Sequence, residues 1–97
     1  MRDYEVTVIL QPQLEETARN ELVETITKRL TQSEAEGDKP VVNHWGPRKL
    51  AYEIQDFSEG YYLFVEAKLD PTQITELERS FQFTEDILRY LVVRKES

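Results

Sequence analysis

The chain has 97 residues but no cysteine, three glycines, one histidine and one tryptophan. Without cysteine there can be neither a disulfide framework nor a thiolate metal site, and the usage leans toward the cytosol. Three scattered glycines cannot build a phosphate-cradling loop, and no calcium-loop spacing occurs. No apolar run reaches the roughly 18 residues that would suggest a membrane span. Residues 1–12 lack the charged-then-apolar pattern of an export signal. His44 has no nucleophile and acid placed to complete a catalytic set, and a lone histidine beside Trp45 reads as a surface residue. The carboxylate pairs Glu15/Glu16 and Glu76/Glu78 fall on helix faces, where solvation and dipole compensation account for them. The expectation is a protein that is not an enzyme, with no cofactor and no metal.

What is present is charge and periodicity. A third of the residues are charged (32%) and the net charge is −7. A chain this short buries only roughly 60–65% of its unfolded surface, which fits one domain over residues 1–97 with little room for a deep cavity. Asp3–Leu10 alternates, with Tyr4, Val6, Val8 and Leu10 on one side and Ile9 the only large apolar residue on the other, the pattern of a half-buried strand. Leu14, Ala18, Leu22, Ile26 and Leu30 then recur every fourth residue with Val23 beside them. They predict an amphipathic helix of about five turns, acids early and bases late. Thr31–Pro40 reads as a polar, mobile loop.

Period two returns from Val41 to Ile54, with Leu50, Tyr52 and Ile54 opposed to Lys49, Ala51 and Glu53. Gly46-Pro47 interrupts it, so an edge strand or a bulge is expected there. Gln55–Gly60 reads as a hairpin loop closing on glycine. Tyr61–Leu69 is a strand with Tyr62 and Phe64 opposed to Leu63 and Val65. Asp70-Pro71 opens a second helix, whose buried stripe is Ile74, Leu77 and Phe81. A last strand from about Asp86 to Lys95 sets Leu88, Tyr90 and Val92 against Arg89, Leu91 and Val93.

The order strand–helix–strand–strand–helix–strand predicts an α+β, ferredoxin-like split βαβ fold: a four-stranded antiparallel sheet with both helices on one face. The other face is then open, carrying Ile9, Tyr62, Phe64, Leu91 and Val93 interleaved with Lys49, Arg89 and Lys68. Charge divides along the same line. Residues 13–38 hold seven acids against three bases, and residues 70–86 hold five acids against Arg79. Each segment is net −4, while the strands and their ends sum to +1. A polyanion is repelled by the helical side and tolerated on the other. Several apolar groups on one open face also suit a self-associating interaction module with no nucleic-acid role, which salt would barely weaken. A small-molecule sensor is disfavoured because no polar cluster is there to orient a ligand.

RNA-recognition motifs share this topology and stack bases on their third strand. EGYYLFVEA resembles their signature only loosely, with Glu59 in the basic position and Tyr62 in the small one. A closer resemblance spans essentially the whole chain. MRDYEV, WGPRKLAYEI, EGYYLF and DILRYLVVR, in this order and spacing, resemble the family of the bacterial small-subunit ribosomal protein numbered six. The resemblance implies a structural protein of the cytoplasmic ribosome. It implies binding to the central domain of small-subunit (16S) ribosomal RNA, as a heterodimer with the basic small-subunit protein numbered eighteen. It implies RNA contacts at Arg2, Arg48, Lys49, Arg89, Arg94 and Lys95, and packing on RNA or partner at Tyr62, Phe64, Leu91 and Val93. No membrane or small-molecule substrate is implied. Pro47 stands where the family usually has another base, which reduces that contact. Gly37-Asp38, then Lys39-Pro40, replaces the family's glycine pair.

Overall fold

A computed structural model describes residues 1–33 and 35–95, Glu36 in its backbone only. The elements are β1 (Arg2–Leu10), α1 (Glu16–Arg29), β2 (Val41–Ile54), β3 (Phe57–Leu69), α2 (Ile74–Gln82) and β4 (Ile87–Arg94). The sheet order is β2-β3-β1-β4, every pair antiparallel. This is the split βαβ arrangement that the alternation of periods predicts.

The core forms where the period-two face of the strands meets the period-3.6 stripe of the helices. Tyr4, Val6, Val8 and Leu10 of β1 meet Leu63, Val65, Ala67 and Leu69 of β3, with Ile26 and Leu30 from the α1 side and Leu77 and Phe81 of α2 above them. Both helices therefore cover one face. Arg29 joins them, donating to the Thr84 hydroxyl at 2.9 Å just past the end of α2. Helix α1 is shorter than expected at 14 residues. Leu14 packs against the core from before it, and Ala18 is exposed. The following loop is anchored rather than free. Ser33 donates to Asp38 at 2.9 Å, Asp38 pairs with Lys68 at 3.6 Å, and Glu36–Asp38 forms a 3-10 turn.

Asp70 starts α2 through a short 3-10 segment, Pro71–Gln73. Its carboxylate accepts from the Thr72 amide at 2.9 Å and the Thr72 hydroxyl at 2.8 Å. These bonds favour the charged form, the amide most, and hold the Asp70 carboxyl below its ordinary range. A carboxyl with a depressed folded value stabilises the fold above its unfolded pKa, and that stabilisation is lost as pH falls through the folded one. Asp70→Ala is therefore expected to lower the denaturation midpoint at pH 7, and the gap to the parent should close progressively below about pH 4. Urea titrations at pH 7 and pH 2.5 check this. A gap that stays constant with pH would remove the cap from the account.

Four local expectations are corrected by strand pairing. The β2–β3 connection is only Gln55-Asp56, both left-handed (φ 51° and 68°) as a two-residue primed turn requires. Strand β3 therefore begins at Phe57 and Gly60 lies inside it. In β4 a register shift opposite Ile9/Leu10 makes Ile87, not Leu88, the buried residue. In β2 a shift between His44 and Gly46 moves the pairing of Gly46 to Lys49 by one, and a second shift follows between Lys49 and Ile54. Arg48 then pairs with Gly60 on the open side, and Lys49 pairs with Glu59 on the helix side. The bulge expected at Gly46-Pro47 is present, with Gly46 at φ 78°, on a strand that is indeed an edge.

Candidate nucleic-acid interface

The open face is built in cross-strand rows. Asn43, Phe64, Thr7 and Leu91 form one; Gly46, Tyr62, Ile9 and Arg89 form the next toward the β2–β3 turn, with Arg48 opposite Gly60 beyond it. Toward the other end lie Val41, Glu66, Glu5 and Val93. Tyr62, Phe64, Leu91 and Val93 thus all share this face. Leu91 and Val93 are 59% and 45% exposed, so they form an uncovered apolar strip along the β4 edge.

The opposite end of the face is partly roofed. Residues Phe57–Gly60 have no partner on β1, so the β2–β3 hairpin overhangs the sheet. It curls back far enough for Tyr52 of β2 to meet Arg89 of β4, the other edge strand: Arg89 Nη1 donates to the Tyr52 hydroxyl, and its guanidinium carbon lies 5.6 Å from the ring centre. Ile9 is only 7% exposed although it points away from the helices. Gly60 makes this possible, since a Cβ there would collide with the Ile9 Cγ2.

The His44–Gly46 bulge puts Trp45 over the open face. Its ring stacks on Phe64, centres 5.1 Å apart and planes within 9°, and the Arg48 guanidinium carbon lies 5.2 Å from the Trp45 ring centre. On the helix side of the same edge, the Tyr61 hydroxyl and His44 Nδ1 are in hydrogen-bond contact at 2.8 Å. Arg19 of α1 covers the Tyr61 ring at 4.5 Å. His44 is thus an exposed, hydrogen-bonded edge residue with no carboxylate to orient it among the described residues.

The six expected cations do not form one rim. Arg48, Lys49 and Arg89 lie toward the turn end. Arg2, Arg94 and Lys95 lie at the other, five to seven strand residues from Ile9 along β1, or roughly 17–24 Å. Arg2 and Arg94 pair with Leu69 and Tyr4 and so project on the helix side. Lys95 continues on the open side, where it meets Glu66 at 3.8 Å. Among the described residues Arg2, Arg48, Lys49, Arg89 and Arg94 have no carboxylate partner. Trp45 and Tyr52, which sequence reasoning left without a role, are what hold Arg48 and Arg89. Two aromatics bracketing a basic pair were visible, but the side each takes depends on the bulge.

No group of His, Asp and Glu among the described residues is arranged to hold a metal ion, and no described helix is long and apolar enough to cross a membrane. The chain matches the model of the family described as ribosomal protein S6 over residues 3–94. It is 38% identical over 96 residues to the small ribosomal subunit protein bS6 of Desulforudis audaxviator, covering 99% of this chain and 100% of that protein. With the small ribosomal subunit protein bS6 of Moorella thermoacetica the identity is 40% over 96 residues, covering 99% and 96%. The crystal structure of 30S ribosomal protein S6 from Thermotoga maritima matches with a TM-score of 0.84 at 35% identity, covering 97% of this chain and 87% of that one. Sequence likeness from end to end and a shared sheet topology lead to one conclusion: the chain belongs to the ribosomal protein S6 family, which consists of structural proteins of the small ribosomal subunit and not enzymes.

Proposed function

We propose that the chain binds the central domain of small-subunit ribosomal RNA, as a heterodimer with the small-subunit protein numbered eighteen, and supports subunit assembly in the cytoplasm. The observation that carries this reading is the placement of Arg48 and Arg89 on an open sheet face with no carboxylate partner among the described residues. The acidic helices cover the opposite face. A phosphate backbone is attracted to one side of this small acidic protein and repelled by the other, so orientation is selected electrostatically. At the far end Lys68 and Lys95 are already neutralised by Asp38 and Glu66. Arg2 and Arg94 remain there as peripheral contacts.

The partner's ground is the apolar strip. Leu91 and Val93 stand exposed beside the unpaired edge of β4, a surface that hydrophobic cover stabilises. With eight bases outside the helical segments offset by seven acids, few counterions are released by the chain alone. RNA affinity then depends on a basic partner.

The test is a salt-titrated binding assay with a central-domain RNA fragment, with and without the eighteen-numbered protein, on the parent and on Arg48→Ala/Lys49→Ala. Binding is expected only with the partner. The double variant should be weaker, with a salt slope shallower by about one, because Arg48 faces the open side and Lys49 does not. Tight RNA binding by the chain alone would refute the partner requirement. Self-association insensitive to salt, without RNA affinity, would assign the apolar strip to a second copy instead.

A further inference from the structure

Both arginines on the open face rest on rings instead of carboxylates, and the difference matters chemically. A guanidinium carries its five N–H donors in its own plane. A carboxylate partner consumes two of them in a fork, whereas a ring beneath the cation accepts none of those in-plane bonds. Arg48 lies over Trp45, and Trp45 is itself backed by Phe64. Arg48 is therefore restrained with its fork unspent. Arg89 is held by Tyr52 and gives up one donor, to the Tyr52 hydroxyl. The two arginines stand on opposite edge strands, three strand intervals or roughly 14 Å apart across the sheet. Tyr62 and Ile9 lie between them in the rows.

We propose that Trp45 and Tyr52 are positioning residues for phosphate recognition, holding Arg48 and Arg89 so that the two guanidinium groups together grip the sugar-phosphate backbone of one RNA strand crossing the turn end of the open face. The occupant is a phosphodiester chain and not a stacked base. Trp45 already has Phe64 against one face and Arg48 over its ring, so a base would first have to displace one of them. Donors left free by their restraint are what phosphate oxygens take. Ordering a long side chain before binding also removes part of the entropy that binding would otherwise lose.

This inference rests on the RNA reading above, and the experiment separates the two. Salt-titrated binding of the full chain with the eighteen-numbered protein to the central-domain RNA is measured for Arg48→Ala, Trp45→Leu, Trp45→Phe, and Trp45→Leu in the Arg48→Ala background. Thermal midpoints confirm that each variant is folded, and Phe64→Leu, which loosens the stack from behind, replaces Trp45→Leu if that variant is not. Trp45→Leu is expected to weaken binding about two- to five-fold, the range of an exposed cation–π contact, and to leave binding unchanged where Arg48 is already absent. Trp45→Phe should recover most of the loss, since a ring is kept. Tyr52→Leu and Tyr52→Phe should behave alike toward Arg89. Equal losses from Trp45→Leu with and without Arg48 would overturn the proposal, because Trp45 would then act directly on the RNA or through the fold. No loss from Trp45→Leu while Arg48→Ala weakens binding would also overturn it. If Arg48→Ala itself has no effect, the RNA reading of this face fails first and the positioning role falls with it.

Discussion

Phe81→Ala is expected to reduce folding stability by about 3–5 kcal/mol, a large share of the roughly 5–15 kcal/mol that holds a small domain together. Phe81 is fully buried and is the bulkiest of the side chains sealed in the core. Its ring meets Tyr90 at 5.8 Å, tilted by 55°, which ties α2 to β4. Helix α2 is only nine residues long and buries just Leu77 and Phe81. A helix of that length does not persist without its packing, so removing the ring also weakens the reason for the helix to form. Two residues on, Phe83 is 78% exposed, and Phe83→Ala should change stability by less than about 0.5 kcal/mol. Urea denaturation of the pair checks both values. A loss at Phe81 near that of Phe83 would mean that α2 does not share the core of the sheet.

The second large effect is expected at Gly60, where a side chain has nowhere to go. A Cβ there would run into Ile9 Cγ2 and come within 3.3 Å of the Leu10 carbonyl oxygen and 3.6 Å of Leu50 Cδ2. The isoleucine could turn away, but the carbonyl belongs to the backbone of β1. Gly60→Val is therefore expected to cost about 1–3 kcal/mol or more through overpacking, and Gly60→Ala less, because the conflict grows with volume. Gly46 supplies the contrast. Nothing lies within 4 Å of a Cβ at that position, but its φ of 78° is left-handed. Gly46→Ala should cost about 1–2 kcal/mol through the backbone alone. Displacing Ile9 also disturbs its row neighbour Arg89. Amide exchange at Ile9 should consequently accelerate in Gly60→Val and stay unchanged in Gly46→Ala, whose cross-strand neighbour is Tyr62. The reverse pattern would place the constraint at the β2 bulge and not at the Gly60–Ile9 contact.

Much of the architecture is legible without coordinates. Tyr4, Val6, Val8 and Leu10 alternate so strictly that only one face of β1 can be buried. Ile74, Leu77 and Phe81 can share a helix face but not a strand face. The element order then admits few packings, and the segregation of acids into the helical segments is a matter of counting. The four quoted stretches that resemble the ribosomal family lie within or beside the residues the family comparison matches.

What could not be read was anything that depends on a neighbouring strand. Period two assigns faces only up to a slip of one residue, and a bulge is such a slip. Whether Ile87 or Leu88 goes inward depends on how β4 meets Ile9 and Leu10 of β1. Whether Arg48 or Lys49 faces outward depends on where β2 inserts its extra residue against β3. Gly60 reads as a turn residue because glycine is common in turns, yet here it makes room for Ile9 from another strand. The sequence by itself determined the fold class, the core stripes, the acidic and neutral sides and the family, because these follow from periodicity, composition and local motifs. Tertiary structure alone decided that Trp45 lies over Phe64 beneath Arg48, that Tyr52 reaches Arg89, and that the cations divide between two ends of one sheet. Those contacts join residues up to 37 positions apart, and the pairing register that brings them together is a property of the assembled sheet, not of any one strand.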